Sequence, residues 1–313
     1  MLQRRALLVL SGLILFPASM QGAEDDEAAK SLRLLLIPGA LEIVAYEPLM
    51  ATVAIKNVSS QTVEINVWAT CTLQLLYARG DEAFAPYRPG WNAGKSISGR
   101  RKLAPGEALT NDETFLLFSG GGGGKFLFAE PGRYRLKAQV FVGRQTLQSE
   151  AVGVLVKPLP PDHVAAADLV RAPGAARMLQ GWEWREAEAG MLEKLTGDFP
   201  GCLYVDHAHY VLGNYYASQH YSTRRGDVRA AERAFLLYSA VSARIGALRA
   251  RALLRMAALA AEVPKVRSLA KLDELLRELK GYETVAKSIE RRGEFEAACE
   301  KLEAALAPAD TAR

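Results

Sequence analysis

Hydrophobic and polar positions follow one rhythm in the first half of the chain and another in the second. Over residues 31–157 the apolar residues fall in short β-rich runs separated by turn residues. The clearest run follows Pro131-Gly132, where Tyr134, Leu136, Ala138 and Val140 interleave with Arg133, Arg135, Lys137 and Gln139. Successive side chains of a strand point to opposite faces, so the first set covers a core and the second meets water. Residues 50–56 and 62–68 are two further runs, joined by the polar turn cluster 57–61, and 147–156 ends the region with another alternation. Several short strands with regular turn signals predict one all-β sandwich over 31–157.

Residues 158–161, Pro-Leu-Pro-Pro, form a stiff connector, because proline fixes its own dihedral and donates no hydrogen bond. Beyond it the composition shifts to Ala, Leu, Glu and Arg. Helices are expected over roughly 163–180 (broken at Pro173-Gly174), 183–196, 203–220, 227–244, 246–262, 264–280, 282–292 and 294–306. Pro200-Gly201, Gly226-Asp227, Pro264, Gly281 and Gly293 punctuate them. The expected class is therefore α+β as two separate domains: a β-sandwich at 31–157, a Pro-rich linker at 158–162, an all-α domain at 163–306 and a tail at 307–313.

The first 23 residues carry an address. Arg4 and Arg5 precede an apolar stretch over residues 6–16, and small residues follow it, as in a secretory signal peptide. That stretch is too short to cross a bilayer, which takes about 20 residues. No other segment approaches that length, so no membrane span is expected once the signal is removed. Residues 24–30, opening Glu24-Asp25-Asp26-Glu27, read as a flexible acidic N-terminus exposed by cleavage.

Two resemblances refine the picture. The segments Ala51-Thr52-Val53-Ala54-Ile55-Lys56-Asn57, Leu103-Ala104-Pro105-Gly106-Glu107 and Pro131-Gly132-Arg133-Tyr134 resemble bacterial immunoglobulin-like domains. The antibody-type cysteine pair is missing, since Cys71 is the only cysteine in this region. Such modules bind partners or space other domains, and the fold does not choose between these. In the second half, Leu212-Gly213, Tyr216, Gly226, Ala231 and Phe235 resemble one tetratricopeptide unit, although Tyr238 stands where a small residue is normal. Tyr282, Val285-Ala286, Ile289, Gly293, Ala298, Leu302 and Ala305 resemble a second. The resemblance implies helix pairs stacked around small residues, with a concave surface for a peptide or protein segment.

Composition narrows the function classes. With 39 Lys+Arg against 35 Asp+Glu the net charge is +4, and loss of Arg4 and Arg5 leaves +2. So slight a balance argues against a nucleic-acid partner. Three cysteines make no disulfide scaffold; Cys71, Cys202 and Cys299 are read as unbridged. The run Gly120 to Gly124 before Lys125 is no phosphate-binding loop, because Ser119 stands in place of the first glycine and Phe126 in place of the hydroxyl. Arg100-Arg101-Lys102 with Arg133, Arg135 and Lys137 is a solvated charged face.

The remaining chemical candidates cluster around one helix. Asp206, His207 and His209, with His220 further on, are the best metal-ligand set, yet on a helix His207 and His209 diverge by about 200°. Cys202 near His207 is the conceivable nucleophile–base pair. Trp182, Trp184, Tyr204, Tyr210, Tyr215, Tyr216 and Tyr221 are read as core packing, with a carbohydrate or peptide groove as the alternative. No catalytic, metal or cofactor residue is assigned. The expectation is a non-enzymatic exported protein, periplasmic or extracellular, mediating protein–protein interaction. An envelope hydrolase with its site at the domain junction and a purely structural spacer are the alternatives.

Overall fold

The structure, a computed structural model, describes residues 30–67, 73–87, 99–116, 118–119, 125–142, 145–180, 185–223, 226–283 and 293–306. Residues 1–23, expected to be a signal peptide, the 24–29 stretch, Cys71, Gly120 to Gly124, Trp182, Trp184, and Val285, Ala286 and Ile289 of the second repeat-like unit lie outside the described residues.

Strands occupy the first half. In order they are β1 (Leu32–Pro38), β2 (Glu42–Val44), β3 (Leu49–Asn57), β4 (Val63–Val67), β5 (Leu73–Arg79), β6 (Ala85–Pro86) and β7 (Gly99–Leu103). Then come β8 (Ala108–Leu116), β9 (Phe118–Ser119), β10 (Lys125–Phe126), β11 (Gly132–Val142), β12 (Gln145–Gln148) and β13 (Val152–Lys157). The alternating run after Pro131 is β11, with Tyr134, Leu136, Ala138 and Val140 buried. It pairs antiparallel with β5 (Tyr134 opposite Arg79) and with β13 (Gly132 opposite Val156).

Helices fill the second half: α1 (Val164–Arg171), α2 (Pro173–Leu179), α3 (Glu186–Asp198), α4 (Val205–Ser222) and α5 (Val228–Ser239). They continue as α6 (Gly246–Glu262), α7 (Pro264–Leu269), α8 (Leu272–Gly281) and α9 (Glu294–Leu306). Helix α5 stops short of the expected 244 because Arg249 of α6 caps it. The Arg249 guanidinium donates to the Tyr238, Ser239 and Val241 carbonyls at 3.2, 3.1 and 2.9 Å, taking up acceptors that a further turn would have used.

The immunoglobulin-like sandwich and the separate all-α repeat domain are both corrected by this arrangement. Among the described residues the strands divide into small mixed sheets: β1-β3-β8, β4-β7, β9-β10 and a larger one around β11. In that larger sheet β2 runs parallel to β13 while the other pairings are antiparallel, so the sheet is mixed. The physical reason lies in β3, which is buried at every position but Lys56. Its Leu49, Ala51, Val53 and Ile55 face the β core. On the other face, Met50 belongs to the helical core and Thr52 accepts a hydrogen bond from Arg251 of α6 at 3.0 Å. A strand buried on both faces reads as a near-continuous apolar run, and 49–55 is one, interrupted only by Thr52.

The helices do not form a repeat array either. One apolar cluster draws residues from all nine described helices and from Met50. In a solenoid each repeat touches only its neighbours, whereas α9 packs against α6 across the intervening α7 and α8. The α4–α5 contact also exchanges the roles of the repeat's large and small residues. Tyr238 is fully buried against Gly213, where an added Cβ would come within 2.5 Å of the ring.

Candidate functional site

The turn between β2 and β3 is where strands meet helices, and its residues diverge. Ala45 donates to the Lys157 carbonyl at 3.0 Å and Tyr46 to the Phe128 carbonyl at 2.9 Å, which ties the turn to the β half. The Glu47 carboxylate accepts from the Val44 amide at 2.9 Å and so closes the turn on itself. Tyr46 thereby takes a φ of 66°, the single non-glycine positive φ among the described residues. That conformation is unusual for an aromatic residue and persists only where the surroundings impose it.

Glu47 turns inward and Tyr46 outward. The Glu47 side chain is 4% exposed, and its other oxygen accepts from Arg244 at 2.9 Å. Arg244 also reaches Asp206 at 3.3 Å and the Leu203 carbonyl. Asp206 in turn accepts from the Ser242 amide and hydroxyl at 2.8 and 2.7 Å. Burial pushes the Glu47 carboxyl above its ordinary value, against the Val44 hydrogen bond and Arg244. For Asp206 burial also raises, but the Ser242 hydrogen bonds and Arg244 outweigh it and hold that carboxyl low. Beside this cluster Tyr204, fully buried, donates to the Ala45 carbonyl at 3.1 Å.

The Tyr46 side lines a cleft of about 920 Å³ between the β half and α1. Its aromatic walls are Tyr46, Tyr77, Phe126 and Tyr134. Tyr46 and Phe126 meet edge to face at 5.5 Å. The Tyr134 hydroxyl donates to the Glu130 carbonyl at 3.0 Å, and burial raises its pKa. Two ion pairs hold most of the polar rim. Arg79 bridges to Glu130 and donates to the Pro131 carbonyl at 3.1 Å. On α1, Arg171 pairs with Asp168 one turn away at 3.2 Å, and its guanidinium lies 5.1 Å above the Tyr46 ring. Glu82 completes the charged lining.

The sequence candidates lie elsewhere. His207 is buried on α4, and burial, followed by the nearby Arg244 charge, pushes it down to about 3. His209 is on the same helix and is also lowered, chiefly by burial. His220 sits at the far end, 2.9 Å from the Asp227 carbonyl. Among the described residues no group of three or more His, Cys, Asp or Glu is placed to hold a metal. Burial raises the Cys202 thiol, the reverse of what a nucleophile needs. Cys202 and Cys299 are free thiols. Tyr204, Tyr210 and Tyr215 are core residues, whereas Tyr221 is exposed. Arg135 and Lys137 lie over the Phe84 ring at 5.1 and 5.0 Å, on the face of β11 opposite Tyr134. Among the described residues no helix is long and apolar enough to cross a membrane.

No protein-family model matches the chain, and no curated protein matches it. Weak likenesses to solved structures exist. The sporulation control protein Spo0M of Bacillus subtilis is 13% identical over 45% of this chain and 54% of its own, with a TM-score of 0.27. A β-glucosidase from Erythrobacter marinus is 15% identical over 41% of this chain, with a TM-score of 0.24. The chain spans about 15% of that glucosidase and about half of the sporulation protein.

Proposed function

We propose that this is a non-enzymatic exported protein that holds a segment of a partner protein in the cleft beside Tyr46. The observation that carries the reading is the cleft's lining. Four aromatic side chains and charged groups converge there, and among the described residues its lining includes no serine, threonine, cysteine or histidine. Aromatic walls with a few placed polar groups give large contact area at low entropic cost, which favours binding over chemistry. The signal-like first 23 residues support export to the periplasm or beyond.

The test compares envelope pull-downs by the mature chain and by Ala129→Trp, which places a bulky side chain in the cleft wall. The expected result is one stoichiometric partner held by the unmodified protein and lost on the variant, with unchanged circular dichroism. Recovery of the same proteins at the same yield by both would overturn the reading, as would recovery of none.

A further inference from the structure

We infer that the cleft recognises an arginine side chain presented by the bound segment. This rests on the cleft-binding reading above and names the chemistry that the cleft selects. Among the described residues the lining holds three carboxylates, Glu82, Glu130 and Asp168, against two guanidiniums, Arg79 and Arg171. It is therefore locally acidic on a chain whose net charge is positive. Both resident guanidiniums are engaged, Arg79 with Glu130 and the Pro131 carbonyl, Arg171 with Asp168 and the Tyr46 ring. Among the described residues the Glu82 carboxylate holds no ion pair; its backbone carbonyl accepts from Arg135.

The cleft also displays the geometry that it offers. Arg171 on Tyr46 shows that this ring face takes a guanidinium, and Arg79 on Glu130 shows the same group docked on a carboxylate. A third guanidinium would find the Glu82 carboxylate for its donors and aromatic rings in the same lining for its flat face. Arginine suits such a site better than lysine, because its planar fork stacks and pairs at once. An incoming carboxylate would meet Glu82, unpaired among the described residues, and two guanidiniums already engaged by Glu130 and Asp168.

The experiment uses the full mature chain and fluorescence anisotropy. The probe is a labelled, end-capped peptide Gly-Ala-Arg-Ala-Gly, with counterparts carrying citrulline or lysine in place of arginine. Citrulline keeps the shape and removes the charge. The arginine peptide should bind about tenfold more tightly than the citrulline peptide, as one charge-assisted contact allows. It should also bind more tightly than the lysine peptide. Glu82→Gln should shrink the arginine–citrulline gap severalfold, and Ala129→Trp should abolish binding of all three. Equal affinities for arginine and citrulline would overturn the inference. So would equal affinities for arginine and lysine, no measurable binding, or a preference untouched by both variants. A partner lost from Ala129→Trp in the pull-down, together with indifferent peptides, would leave the binding reading standing and remove only the arginine.

Discussion

Replacing Arg244 by alanine isolates what the junction between strands and helices depends on. Glu47 is 4% exposed, and Arg244 is its charged hydrogen-bond partner. Removing one member of a buried pair costs about 3–5 kcal/mol, because the other charge stays buried. Two features reduce that here. Arg244 is 39% exposed, so water reaches the vacated space, and Glu47 keeps the Val44 amide. Asp206 retains both Ser242 hydrogen bonds. About 2 kcal/mol is then expected near neutral pH, after screening is allowed for. With about 2.1 cal/mol/K of unfolding entropy per residue, a chain of this size should lose roughly 3 °C in Tm. The pH dependence has a definite sign. A carboxyl whose pKa is raised on folding favours the folded state below its ordinary value, and that contribution is lost as pH rises through the raised one. Burial already raises Glu47 above 4.5, and loss of Arg244 raises it further. The penalty of Arg244→Ala should therefore be largest at pH 7–8 and shrink towards pH 4. Adding Glu47→Gln should recover most of it at neutral pH. Calorimetry at pH 4, 5.5 and 7.5 on the two single variants and the double reads all three terms. An Arg244→Ala penalty that is independent of pH and unrelieved by Glu47→Gln would refute the reasoning.

Three further outcomes follow from particular contacts. Gly213→Ala should destabilise by about 1–3 kcal/mol in urea unfolding, because the new Cβ falls 2.5 Å from the buried Tyr238 ring; a neutral result would mean that the α4–α5 contact relaxes freely. Arg249→Met should cost about 2 kcal/mol, since it uncaps the last two carbonyls of α5 and that of Val241 beyond it and removes the ion pair with Glu278, and amide exchange near Leu237 to Ser239 should accelerate; unchanged exchange there would remove the capping account. Mass spectrometry of the envelope fraction should place the mature N-terminus within a few residues of Glu24, and an intact Met1 would contradict export by the signal sequence.

The sequence was most readable where local chemistry decides alone. Period-two alternation marks β11, and the expected helices 246–262 and 294–306 coincide with α6 and α9. Proline and glycine marked the break before α2, because both act within a residue or two. Distant partners were invisible. The end of α5 depends on Arg249, which follows it by ten residues, and the helix expected over 264–280 breaks at Ala270, whose ψ of 128° is extended. No local breaker residue stands at 270–271. The fold-class error has one identifiable source, the near-continuous apolar run at 49–55, interrupted only by Thr52. Read as one sandwich strand it needs a single core, yet its two faces serve two cores.

The same strand explains why the cleft could not be read in advance. Its lining comes from separate stretches around Tyr46, Tyr77–Glu82, Phe126–Tyr134 and Asp168–Ala172, and none carries a binding or catalytic motif by itself. What assembles them is the turn leading into β3. Tyr46 packs against both apolar clusters, and its neighbour Glu47 is gripped by Arg244 from the helical side. The positive φ at Tyr46 is thus held between two halves rather than set by its own residue type. A β half without its helices would lose Arg244, Arg171 and Asp168 together, and with them one wall of the cleft. The candidate site is a property of the junction, and a reading that treats the halves as separate domains removes the site along with the interface.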